Sequence, residues 1–69
     1  MSILFSERVK ELRKEAGLKQ SDLASALGTT QRKVSYWEIG KIEPDLQTLC
    51  KIADYFKVST DYLVGRCDF

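Results

Sequence analysis

The sequence predicts an all-α fold, a compact five-helix bundle, and three observations carry that prediction. Apolar residues recur at helical spacings of three and four: Phe5, Val9, Leu12 and Ala16 in one segment, Leu46, Leu49, Ile52, Ala53 and Phe56 in another. No stretch alternates apolar and polar residues as a half-buried strand would. The glycines Gly17, Gly28, Gly40 and Gly65 each fall just past a helical run, where a left-handed residue closes a helix best. With 69 residues the chain makes a single domain, 1–69, near the smallest size at which one apolar core suffices without staples. Its 43% hydrophobic and 30% charged residues suit a folded globular chain and not a disordered one.

The first helix is expected over Phe5 to Ala16, with Arg8, Lys10, Arg13 and Lys14 among Glu7, Glu11 and Glu15 on its solvated faces. Leu18 then re-enters the core. The second helix starts at Gln20 behind Lys19, a poor N-cap that costs ~1 kcal/mol relative to Ser, Thr or Asn. Either stability is not limiting there, or the ammonium has another use. Gln20 to Ile39 reads as a helix-turn-helix. Leu23, Ala24 and Leu27 give its first helix an apolar face, Gly28 ends that helix, and Thr30 caps the next. Val34 and Trp37 supply one apolar face of the second, leaving Gln31, Arg32, Lys33, Ser35 and Tyr36 on the others. Two helices this short are not stable alone, so the rest of the chain must hold them.

Pro44 in the loop KIEPD blocks helix continuation, and Asp45 can cap the fourth helix, Leu46 to Phe56, the strongest periodic signal and main core donor. Ser59 caps a last helix, Thr60 to Val64, with Val58 at staple spacing from Leu63. The expected core is Phe5, Val9, Leu12, Leu18, Leu23, Ala24, Leu27, Val34, Trp37, Leu46, Leu49, Ile52, Ala53, Phe56, Val58 and Leu63.

Net charge is +1, but its distribution is uneven. Residues 1–41 carry eight Lys/Arg against five acids, whereas residues 42–69 carry three against five. One half could face phosphates and leave the other to a partner or to solvent. With two cysteines and no histidine, no ordinary zinc site can be assembled, and neither a catalytic triad nor a phosphate loop is present. Cys50 is expected as a small buried hydrophobe beside Leu49 and Ala53, and Cys67 in a frayed tail. The start MSILF is too short for a signal peptide, and no apolar run approaches the ~18 residues of a membrane span. A cytoplasmic, reduced protein without cofactor, metal or enzyme chemistry is the expectation.

From about Phe5 to Gly65 the chain resembles the lambda-repressor and Cro type of DNA-binding domain, the Xre-like helix-turn-helix family. The likeness rests on ERVKELRKEAGLKQSDLASALG, then VSYWEIGK, then PDLQTLCKIADYFKVSTDYL. The resemblance implies that the second helix of the unit enters the major groove with its N-terminal residues on base edges. Gln31, Arg32 and Tyr36 then read bases, with Lys33 on a base or a phosphate and Ser35 a weaker candidate. Arg32 can pair with guanine and Gln31 with adenine through two hydrogen bonds each. Tyr36 has a second reading, as a packing residue at the edge of the core. Gln20 matches a phosphate-binding position at a helix N-terminus, and Lys19, Thr30 and Lys41 would add backbone contacts. Arg13 and Glu38 match a pair that in relatives forms an internal salt bridge. Ile39 departs from the family, where many members carry a polar residue.

The function implied is a sequence-specific regulator of transcription on double-stranded DNA, a repressor acting as a homodimer on a palindromic operator. Tyr55, Tyr62, Val58, Cys67 and Phe69 are the expected dimer surface. An antitoxin or protein-interaction module, with a toxin or a larger repressor domain as partner, is the competing expectation, since a fold does not fix a function. The chain suits both a small complete regulator and the first part of a longer one.

Overall fold

Five helices, α1 (Phe5–Glu15), α2 (Gln20–Leu27), α3 (Gln31–Glu38), α4 (Leu46–Phe56) and α5 (Thr60–Val64), build a computed structural model that describes residues 3–68. No strand occurs among those residues. Three of the helices, α3, α4 and α5, start at side-chain oxygens that accept an orphan backbone N–H: Thr30 from Lys33 at 3.2 Å, Asp45 from Thr48 at 2.8 Å, Ser59 from Tyr62 at 3.0 Å. An ammonium cannot accept such a bond, so Lys19 leaves α2 without this cap. The deficit is partly offset from inside the helix, where Asp22 accepts the Lys19 backbone N–H at 2.9 Å, half of a capping box.

All five helices end in the same pair of hydrogen bonds. At α2, for example, the Thr29 N–H donates to the Ala24 carbonyl and the Gly28 N–H to the Ser25 carbonyl, with Gly28 at φ 71°. In α4 the left-handed residue is not glycine but Lys57, at φ 57°.

Helix α2 packs on α3, α3 on α1, α1 on α5, and α4 on both α5 and α2. The buried centre is Phe5, Val9, Leu23, Ala24, Leu27, Val34, Trp37, Ile52, Ala53 and Leu63, with Leu12, Leu49, Phe56 and Val58 packed against it. Leu18 is half-buried. Two expectations for α4 fail. Leu46 is 82% exposed, and Cys50 is exposed rather than buried. The core stripe of α4 runs through Leu49, Ile52, Ala53 and Phe56, and Leu46 and Cys50, four apart, share a flank turned away from it. Leu46 also opens the helix, and helical side chains lean toward the N-terminus, past the end of the core.

The two ends of the described chain meet. The Leu4 N–H donates to the Val64 carbonyl at 3.2 Å, and Gly65, at φ 88°, lies so close that a Cβ there would stand 2.7 Å from Leu4 Cγ. Arg8 spans the same junction: its guanidinium sits 4.2 Å over the Tyr62 ring and donates to the carbonyls of Tyr62 (3.0 Å) and Cys67 (3.2 Å). Cys67, expected in a frayed tail, is therefore half-buried in a segment fastened to α1.

Candidate nucleic-acid interface

Helix α3 divides its residues between two tasks. Val34, Trp37 and Glu38 face inward and are buried, and Trp37 meets Phe5 of α1 edge to face at a centroid distance of 6.2 Å. Glu38 receives Arg13 through a two-pronged contact, Nε to Oε2 at 2.6 Å and Nη2 to Oε1 at 3.0 Å. The remaining Arg13 nitrogen donates to the Leu18 carbonyl at 2.8 Å, and the Gln20 amide nitrogen donates to Glu38 Oε1 at 3.1 Å. One carboxylate thus joins the end of α3 to α1, to the α1–α2 turn and to the start of α2. Burial pushes the Glu38 carboxyl up, yet the hydrogen bonds from Arg13 and Gln20 and the charges of Arg13 and Lys10 outweigh it, holding its pKa below the ordinary value. The Arg13 guanidinium is raised in turn by its hydrogen bond to Glu38.

The opposite face of α3 is turned to solvent. Gln31, Arg32 and Lys33 are exposed, while Ser35 and Tyr36 are half-buried. Arg32 and Tyr36, four apart, form one row, and Gln31 and Ser35 form the next. Tyr36 is held from several sides: its carbonyl accepts from the N–H groups of Lys41 (2.9 Å) and Ile42 (3.5 Å), and the Lys41 ammonium lies 4.7 Å over its ring.

The phosphate candidates flank this face. Lys19 and Gln20 begin α2, Thr30 begins α3, and Lys41 follows it. Gln20 spends one amide N–H on Glu38, which leaves its second N–H and the first-turn backbone N–H groups of α2 for an anion. The Thr30 hydroxyl oxygen accepts within its own helix and can still donate.

A residue missed by sequence reasoning also stands here. Ile42, 37% exposed, lines an open cleft with Thr30, Arg32, Lys33 and Tyr36. Its signal was an apolar residue outside every helical stripe, between Lys41 and Glu43. Ile39, the departure from the family pattern, is 69% exposed.

Residues 9–63 match the family described as Helix-turn-helix (HTH_3). The chain is 44% identical over 61 residues to the SPbeta prophage-derived uncharacterized HTH-type transcriptional regulator YonR of Bacillus subtilis (strain 168), which covers 88% of this chain and 56% of that one. The chain spans about half the length of the curated relatives it matches. Among solved structures it is similar to a transcriptional regulator from Listeria innocua, with a TM-score of 0.89 and 38% identity over 94% of this chain and 61% of that one. It is also similar to the P22 c2 repressor in complex with a synthetic operator, with a TM-score of 0.83 and 28% identity over 87% and 91% of the two chains.

Proposed function

The chain belongs to the Helix-turn-helix family, and from that premise we propose that it is the DNA-binding unit of a transcriptional regulator, a repressor binding a palindromic operator in the cytoplasm. One observation carries the reading: α3 exposes Gln31, Arg32 and Lys33 on one side while Glu38 on its other side is ion-paired to Arg13 of α1 and hydrogen-bonded to Gln20 of α2. A rigid helix with exposed hydrogen-bonding side chains is what base-edge recognition in the major groove requires. Gln31, Arg32 and Tyr36 then read bases, with Ser35 beside them and Lys33 on a base or phosphate, while Lys19, Gln20, Thr30 and Lys41 hold phosphates. The complex of the P22 c2 repressor with a synthetic operator supports a duplex as partner. An antitoxin or interaction module is not favoured, because the relatives are named as transcriptional regulators and repressors.

The active form is a homodimer on two half-sites. Half-sites on one face of a duplex lie about 34 Å apart, and the domain measures 28 × 23 × 21 Å. Copies at that spacing are separated by only a few ångströms, which places any contact between them at the flank beside α3. The apolar groove of Ile3, Pro44, Leu46 and Leu49 suits that contact better than the surface expected from sequence. There, Val58 packs against the core and Tyr62 lies under Arg8, Tyr55 is exposed, and Phe69 lies outside the described residues.

The test is selection of bound duplexes from a random pool, followed by titration of variants on the selected site. Arg32→Ala is expected to lose specific binding with unchanged circular dichroism. If Arg32→Ala and Gln31→Ala both bind as wild type, α3 is not the reading helix.

A further inference from the structure

We propose that the cleft between α3 and the loop after it seats the 5-methyl group of a thymine, and that Ile42 is the residue that recognises it. The inference rests on the duplex-DNA reading above and adds to it a base identity that Gln31 and Arg32 do not supply.

The cleft has an apolar floor and a charged rim. Ile42, Tyr36, Arg32, Lys33 and Thr30 line it, and long cationic side chains such as Arg32 and Lys33 offer apolar stems beneath their charged ends. Its position is fixed by the backbone: the Lys41 and Ile42 N–H groups both donate to the Tyr36 carbonyl, so the loop that carries Ile42 is pinned to the last turn of α3. The Lys41 ammonium, 4.7 Å over the Tyr36 ring, holds that ring from one side. Ile42 is thus a β-branched side chain with little rotamer freedom, at 37% exposure, on a surface that is otherwise polar.

The cations Arg32, Lys33 and Lys41 around this floor specify an anionic partner. A partner that brings both negative charge and a small apolar group to one spot is the major groove of DNA. Among the groups on its base edges, the thymine methyl is the one bulky apolar feature, and cytosine carries only a hydrogen at the same carbon. A pre-fixed apolar seat accepts the methyl with little ordering cost, and a base that lacks the methyl leaves the seat unfilled and its apolar lining in water.

The experiment replaces each thymine of the selected duplex singly by uracil, which keeps every hydrogen-bonding group and lacks the methyl. One position in each half-site should lose about fourfold in affinity, the worth of one buried methyl group. Ile42→Ala should bind the thymine and uracil duplexes at that position alike, and Ile42→Val should show an intermediate ratio if the alanine variant does not fold. The proposal is overturned if no uracil replacement weakens binding to a duplex the protein otherwise binds specifically, or if Ile42→Ala keeps the wild-type ratio. Binding to no duplex at all overturns the DNA-binding reading together with this one.

Discussion

Glu38 concentrates the stability of the reading surface in one carboxylate, and removing it strands the Arg13 guanidinium, whose side chain is 11% exposed. Breaking such a pair from one side costs about 3–5 kcal/mol, a large share of what a small domain has. Glu38→Ala should therefore shift the urea midpoint markedly, and Arg13→Ala should do nearly the same, since each leaves the other unpaired. The pair also makes stability depend on pH. The Glu38 pKa is lowered in the folded state, so its contribution is fully present above the unfolded carboxyl value of about 4.3 and is lost as pH falls through the lower, folded value. Unfolding free energy followed from pH 7 to pH 3 should fall in the wild type, and Glu38→Gln should remove that part of the slope while starting less stable at pH 7. Periodicity could not have found this pair, because Arg13 and Glu38 are far apart in sequence; the family resemblance supplied it. Arg8 was illegible for a related reason: the hydrogen bonds it donates end on the backbone carbonyls of Tyr62 and Cys67, groups that every residue carries.

Helices were the most legible level, because caps, glycine stops and apolar spacing are local. Thr30, Asp45 and Ser59 start the helices that the sequence assigns to them. What escaped was direction at the edges of a stripe, as at Leu46 and Cys50, where an apolar residue satisfies the spacing but overhangs the core. The end of α4 also gave no signal, because Lys57 does there what glycine does at the other four helices. A side chain in the left-handed region costs roughly 1–2 kcal/mol, and glycine returns part of that gain through its greater unfolded-state freedom. Lys57→Gly should therefore stabilise the domain by about 0.5–1 kcal/mol in thermal unfolding. Gly28→Ala, which forces the same penalty where none now exists, should destabilise it by about 1 kcal/mol.

At the scale of the molecule, the basic half of the sequence supplies the proposed reading surface, and DNA affinity should follow the ions it displaces. Lys19→Ala and Lys41→Ala should each weaken binding to selected and random duplexes by a similar factor and lower the slope of log affinity against log salt by about one. Arg32→Ala should instead narrow the gap between the two duplexes. Anisotropy titrations across a salt series separate these outcomes. Leu46→Lys, which puts a charge on the most exposed large apolar side chain among the described residues, should leave half-site binding intact and remove cooperativity on the full site. The junction where Leu4, Arg8, Val64 and Gly65 meet has a topological consequence. The described chain is nearly a closed ring, opened at a corner held by the Leu4–Val64 bond and the Arg8 latch. A short peptide joining the two ends would follow a junction that the Leu4–Val64 bond already holds together. The unfolded chain would lose loop entropy worth up to about 4 kcal/mol, so a cyclised form should melt higher with its recognition helix unmoved.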